Sequence, residues 1–549
     1  MFDLVIHDAI LLDGTGLPPR RGGVAVKDGR IVEVGYIAGA ARATVEAEGL
    51  ALMPGIIDNH THYDAQITWD PWASPSPTLG VTTAIIGNCG FTIAPCRARD
   101  RELVMRNLTQ VEGMSLEVLR AGVRWDFESV PQYLDMLERL GSAINIAAFA
   151  GHSSIRTYVM GDRATERVAS PEEIEAMRKL VLEAMQAGAI GFSTSTSPAH
   201  NGEGGKPMPS RLADDNELRA LVGALREAGR GVFMLTKGGH TRLSLLEELA
   251  AESGRPVVVA ALFYNSTNPQ AGFMDLDAIG EANRRGRRLV GAVSCTPLAM
   301  DFTLHAPYTF EGLESWRPAL PLEGEAFRQL LRSPGFRAAV RDEVSRPAHF
   351  RLFNGQWDQV EVVQSRRAEL EQRSIAELAR AASQDPLDFM LDLALEEDLD
   401  TVFNAMLLNW EEEGVARMLK HPASLVSLSD AGAHLTFFND AGFGLHLLGH
   451  WVRSRGVLTL EDAVRRLTSH PAEVFGIKAR GALRPGYHAD LLLFDPATVN
   501  RGPKQRVFDL PGGHPRLTTP AIGVQGVWVN GVRLSADARP GRLLRDFSQ

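Results

Sequence analysis

Met53-Pro54-Gly55-Ile56-Ile57-Asp58-Asn59-His60-Thr61-His62 is the stretch on which the fold of this chain turns. An apolar run ending in His-x-His reads as a buried strand. Side chains alternate with period two along a strand, so both imidazoles leave on one side and aim two neutral nitrogens at one point. At the C-terminal end of a parallel barrel strand, that point is the mouth of an active site. The competing reading is two unrelated loop histidines. It loses ground because Pro-Gly-x-Ile-Asp opens the stretch and a β-rich leader precedes it.

That leader contains Leu4-Val5-Ile6, Gly23-Val24-Ala25-Val26 and Arg30-Ile31-Val32-Glu33-Val34, with Asp28-Gly29 as a two-residue hairpin turn. The far end has the same texture, in 489–495 and 526–529, followed by the turn Asn530-Gly531. Residues 1–51 and 479–549 are therefore expected to form one small β-sandwich. Between them, 52–478 alternates apolar strands (83–86, 145–150, 190–193, 231–235, 256–260, 288–293, 424–428) with helices over 171–187 and 215–228. With the His-x-His strand this makes about eight, which predicts an α/β fold, a (β/α)8 TIM-like barrel. The Arg- and Glu-rich stretch around 300–385 is expected to be a helical insertion or lid.

Composition narrows the function classes. In 549 residues, 44% are hydrophobic and 23% charged, ordinary globular usage with ample material for a large core. A formal net charge of -10 without a basic stripe argues against a nucleic-acid surface. The start lacks a basic n-region before an apolar segment, and no run of eighteen apolar residues occurs, so no membrane partner is expected. Three cysteines, Cys89, Cys96 and Cys295, form no disulfide framework and point to a reducing cytoplasm. A small-molecule substrate is the expected partner, and composition leaves a homo-oligomer open.

Further residues suit metal chemistry. Gly87-Asn88-Cys89-Gly90 ends a second strand in a cysteine; a thiolate there would complete or bridge a zinc site, although a lone Cys also serves as a small buried apolar residue. Ser427-Leu428-Ser429-Asp430 follows the last strand, where Asp430 is placed to bind metal and take a proton from attacking water, against the alternative of a turn residue. Lys237 closes an apolar strand and has three open readings: a carboxylated metal ligand, an ammonium for a substrate carboxylate, or a chain reaching solvent. His152 and Arg156 follow another strand as candidate substrate contacts, with a supporting role behind the site as the alternative; His240 and His434 are reserve ligands or substrate contacts. Other histidines, His200, His446 and His450, are expected in loops or helices. Trp69, Trp72, Phe91, Phe263 and Phe437 are candidates for an apolar mouth or for core.

Taken together, the chain resembles the amidohydrolase superfamily, and within it the D-aminoacylase or N-acyl-D-amino-acid deacylase group. The likeness rests on Pro54-Gly55-x-Ile57-Asp58-x-His60-x-His62-Tyr63-Asp64, Gly80-Val81-Thr82-Thr83, Gly87-Asn88-Cys89-Gly90, Gly151-His152 with Arg156, Ser429-Asp430, and Arg480-Gly481 with Ala489-Asp490. It implies a barrel with a β-sandwich from both termini, one or two Zn2+ ions, and hydrolysis of an N-acyl bond. By that likeness His60 and His62 match a weaker metal position, Cys89 a cysteine ligand, and Asp430 the catalytic aspartate. The group's fifth and sixth strands each end in a histidine ligand, in Thr-His-x-Arg and Ser-His-x-Lys. Here the matching places read Thr236-Lys237-Gly238-Gly239 and Leu262-Phe263-Tyr264-Asn265, with Lys237 as the substitute ligand.

The expected activity is metal-dependent cleavage of a C–N amide bond, with Asp430 as the proton acceptor and donor. Its rivals are an aryl amide, cyclic amide or lactone hydrolase on the same barrel, and a non-catalytic binding barrel. No Gly-x-Ser-x-Gly elbow supports a serine hydrolase.

Overall fold

The computed structural model describes residues 1–111, 113–346, 348 and 351–548. Eight parallel strands run in sequence order around one sheet: Ile56–Asp58, Val81–Ile86, Asn145–Gly151, Gly191–Ser195, Val232–Thr236, Val257–Leu262, Leu289–Val293 and Ser424–Val426. The first and eighth meet just beyond their ends, where Thr61 bridges Ala431, the His62 N–H donates to the Ala431 carbonyl at 2.8 Å and Asn59 Nδ2 donates to the Val426 carbonyl at 2.9 Å. This is the expected closed barrel. Its strands are apolar and buried along nearly their whole length because a parallel strand has one face in the barrel and the other under helices.

The connecting helices begin where the sequence caps them. Pro171–Ala187 starts with a Ser170–Glu173 capping box, and Asp214 caps Asp215–Ala228 by accepting from the Glu217 N–H at 2.9 Å. Among the described residues, no helix is long and apolar enough to cross a membrane.

Both termini contribute to one eight-stranded sheet, in which Ala51–Pro54 pairs antiparallel with Leu491–Phe494 and parallel with Phe2–Leu11. Period two divides these strands between two cores: Leu52, Leu491 and Leu493 join the sheet's own core, while Met53, Leu492 and Phe494 join the barrel's. The sheet reaches Pro54, just past the expected boundary at 51. The last residues leave it: Gly541 and Leu543 bridge Ser142 and Ile146 at the entry of the third barrel strand.

The insertion between the seventh and eighth strands extends beyond the 300–385 expected for a helical insertion or lid. It holds the helices Gly324–Arg332, Pro334–Val344, Ile375–Ala382 and Pro386–Glu396, but also a three-stranded antiparallel sheet of Leu298–Phe302, Val402–Leu408 and Val360–Gln364. Its core includes Phe302, Phe310, Trp316 and Phe403. Half-buried alternation, as in Val360-Glu361-Val362, places these strands, whose outward residues are mixed: Ala299, Asp301, Glu361, Val363, Asn404 and Met406.

A buried polar clamp joins sheet to barrel. Asp490 pairs with Arg480, accepts from the Asn530 N–H at 2.8 Å, and accepts from Asn145 Nδ2 at 3.2 Å at the start of the third barrel strand. The side chains of Arg480 and Asp490 are 3% and 4% exposed. Asp490→Ala, which strands the guanidinium without its carboxylate, is expected to lower unfolding free energy by about 3–5 kcal/mol; urea denaturation checks this, and a loss below about 1 kcal/mol would contradict it.

Candidate metal centre and active-site cavity

Hydrogen bonds that close the barrel also assemble the site. Past the first strand, His60 and His62 project to the same side, as period two requires. The His60 carbonyl accepts from the Asp430 N–H at 3.2 Å and from Ser429 Oγ at 3.0 Å, while Ser427 Oγ donates to Asn59 Oδ1 at 2.6 Å. The eighth strand is thereby pinned against the first, and Asp430 Oδ1 lies 3.2 Å from His60 Nε2 and 3.7 Å from His62 Nε2.

The turn Asn88–Gly90 after the second strand adds Cys89. Asn88 Nδ2 ties this turn to the first strand by donating to the Thr61 carbonyl at 3.2 Å. Cys89 Sγ lies 3.5 Å from His60 Nε2 and 4.0 Å from His62 Nε2. Ligand atoms of these three buried residues all fall within 4.8 Å of one another. Cys89 has φ 58° and Asp430 φ 47°, left-handed backbone that costs a non-glycine residue about 1–3 kcal/mol and persists only where its surroundings impose it. Gly90, also left-handed, lies so close to the fourth strand that a Cβ would come within 2.9 Å of the Ser193 carbonyl.

Electrostatics favour a cation here. Burial takes the His60 imidazole down to about 3, so it stays neutral with its lone pair available. For Asp430, burial pushes upward but is outweighed by His60 and His62, which hold the carboxyl below the usual carboxylate range. Burial pushes the Cys89 thiol up, a penalty that a bound cation offsets by stabilising thiolate. Burial likewise raises Asp58, behind His60, to about 7. Two imidazoles, one thiol and one carboxylate are the donor types that zinc accepts together.

This cluster forms the floor of a cavity of about 630 Å³ at the C-terminal ends of the strands. His240 and His434 line it, as do Phe91 and Phe263, whereas Trp69 packs against Gly122 and Trp72 lies beside the terminal sheet. Lys237 also lines it, but its Nζ is 3.1 Å from Asp275 Oδ2 on the helix Ala271–Arg284. The residue directed at Cys89 is its neighbour Thr236, whose Oγ1 is 3.1 Å from Cys89 Sγ. Successive side chains on a strand point opposite ways, which explains why Thr236 meets the ligand cluster and Lys237 meets the helix.

Two expected substrate contacts are corrected. His152 and Arg156 are fully buried and absent from the cavity wall: His152 bonds Thr194 Oγ1 at 2.7 Å and Glu217 Oε1 at 2.8 Å, and Arg156 pairs with the other Glu217 oxygen. Both lie on the helix His152–Met160, which carries them under the barrel wall to meet Glu217. Other wall residues went unread in the sequence. His200, whose Nδ1 meets Ser195 Oγ at 2.6 Å, sits edge-on to Phe91, and Tyr308 and Met300 come from the insertion. Strand alternation signalled Thr236; nothing local in sequence signalled His200 or the insertion residues.

The amidohydrolase family profile matches residues 43–534. The chain is 30% identical to an N-acyl-D-aspartate deacylase of Alcaligenes xylosoxydans xylosoxydans, over 99% of this chain and 95% of the relative, and 30% identical to a D-aminoacylase of the same organism, over 96% and 94%. Among solved structures, the N-acyl-D-glutamate deacylase of Bordetella bronchiseptica, complexed with zinc and a phosphonate mimic of the tetrahedral intermediate, superposes with a TM-score of 0.69 at 26% identity, covering 99% of this chain and 100% of that one. The chain belongs to the amidohydrolase family and is a metal-dependent hydrolase of amide bonds.

Proposed function

We propose that the protein removes the acyl group from N-acyl amino acids, of D configuration as in its named relatives, using one zinc ion held by His60, His62, Cys89 and Asp430. The observation that carries this reading is the meeting of two imidazoles, a thiol and a carboxylate on the floor of a 630 Å³ cavity. Zinc held there supplies Lewis acidity, lowering the pKa of water toward neutrality and polarising a carbonyl.

The chain's own groups do the rest. Asp430, kept ionised beside the histidines, takes a proton from the attacking water as the new C–O bond forms. It then delivers that proton to the leaving nitrogen as the C–N bond breaks, giving a carboxylate and a free amine. Cys89 and the two imidazoles hold the cation while Asp430 turns over its proton. His240 and His434, on the wall, orient the substrate.

Lys237 acts in this reading as an ammonium paired with Asp275, instead of as a carboxylated ligand. Thr236 stands beside Cys89, and the sixth strand ends at Leu262, followed by Phe263, so among the described residues neither strand end itself carries an imidazole for a second ion. Three buried free cysteines suit a cytoplasmic setting.

Asp430→Asn is expected to lower kcat on the best N-acyl-D-amino acid by about 10²–10⁴-fold with zinc content retained; activity within a few fold of the parent would remove Asp430 from proton transfer. Cys89→Ala should lose zinc on dialysis against a mild chelator that leaves the parent near one ion per chain, as elemental analysis will show, and equal retention would remove Cys89 from the ligand set. A panel of N-acyl-D- and N-acyl-L-amino acids with aryl amides tests the substrate class, and turnover confined to aryl amides would overturn it.

A further inference from the structure

Opposite the catalytic mouth, at the entry ends of the barrel strands, the C-terminal run beyond Gly541 lies between the third strand and the terminal sheet. It helps enclose a second cavity of about 330 Å³. Arg30, Lys478, Arg480, His488, Arg542 and Arg545 line that cavity, and among the described residues Asp546 is the carboxylate on its wall. A chain with a formal charge of -10 thus concentrates cations at one place.

Several of these cations are already matched. Arg480 pairs with Asp490, Lys478 with Asp546 at 2.6 Å, and Arg545 with Asp135 at 2.7 Å and Glu138 at 2.9 Å. Arg30 and Arg542 have no carboxylate partner among the described residues. Arg30 donates to the Gly486 carbonyl at 2.6 Å; the Arg542 N–H donates to Asn145 Oδ1 at 3.2 Å, while its guanidinium donates no hydrogen bond among the described residues. His488 bridges Arg30 and lines the same cavity; burial first, and then the charges of Arg480, Arg30 and Arg542 against that of Asp490, take its imidazole down to about 4. Arg30 and Arg542, both exposed, line this cavity from two separate parts of the fold, and the fork geometry of each guanidinium matches the paired oxygens of an oxyanion.

We propose that this cavity is a binding site for a compact oxyanion carrying two or more negative charges, gripped between Arg30 of the terminal sheet and Arg542 of the C-terminal run. The anion completes the charge pairing that the chain leaves open and fastens the C-terminal run to the sheet. Phosphate and polycarboxylate groups share the required chemistry.

Isothermal titration of the full-length protein with inorganic phosphate, pyrophosphate and citrate, at fixed ionic strength, tests the site without reference to catalysis or zinc. Saturable binding of at least one of them, one per chain, is expected. Selective binding of phosphate and pyrophosphate identifies a phosphate site, and selective binding of citrate a polycarboxylate site. Arg30→Ala and Arg542→Ala should each weaken Kd by about tenfold or more, whereas Arg506→Ala, which removes an exposed arginine elsewhere, should leave it unchanged. Absence of saturable binding by the parent for all three anions, or equal weakening by Arg506→Ala, would overturn the site. Neither outcome bears on amide hydrolysis.

Discussion

Closure of the barrel between its first and eighth strands is the constraint on which the rest of this structure depends. The seam is made by main-chain hydrogen bonds at the residues that carry chemistry: the His60 carbonyl takes the Asp430 N–H, and the Ala431 carbonyl takes the His62 N–H. Moving the eighth strand one residue along the first would turn Asp430 away from both imidazoles, because alternation has period two. Folding and site assembly are therefore one event, and the left-handed backbone at Cys89 and Asp430 is held in place by that seam and by the Asn88 bond to Thr61.

Around this seam the remaining parts divide their roles. The terminal sheet shares Leu492 and Phe494 with the barrel core and is clamped at the third strand by Asp490. Glu217, buried with His152 and Arg156, secures the helix behind the Cys89 turn: Gly90 sits against both the His152 N–H and Thr194. The insertion adds a separate core and walls the cavity with Tyr308, Met300, Leu352 and Arg351, giving the site a largely apolar upper wall over a polar floor. Such a division, with a few converging polar groups at the base of a largely apolar pocket, is the usual form of a small-molecule site.

Much of this was legible in the chain itself. The eight barrel strands could be read because each is a buried apolar run between turn signals, and the helices Pro171–Ala187 and Asp215–Ala228 because their caps are explicit. His60, His62, Cys89 and Asp430 were legible because each ends or follows a strand, where a barrel gathers its chemistry. His152 and Arg156 follow a strand too, yet the helix that begins at once at His152 takes them behind the wall, a direction the sequence does not encode locally. Lys237 was left with three open readings; it lines the cavity with its Nζ at Asp275, while its neighbour Thr236 is the residue at Cys89. The strand register decides between them, and register is set by pairing with Ser195 and Ala260, contacts distant in sequence. The insertion's strands are far apart in sequence, at 298–302, 360–364 and 402–408, so their pairing is not written in any local stretch.

Zinc K-edge X-ray absorption on the protein loaded with one zinc per chain examines the converging ligand set most directly. Two imidazole nitrogens and one sulfur at about 2.0–2.1 and 2.3 Å, with oxygen completing the shell, are predicted. A shell with oxygen alone, or with imidazole but no sulfur, would contradict the account, because it would place the cation away from the point where His60, His62 and Cys89 meet.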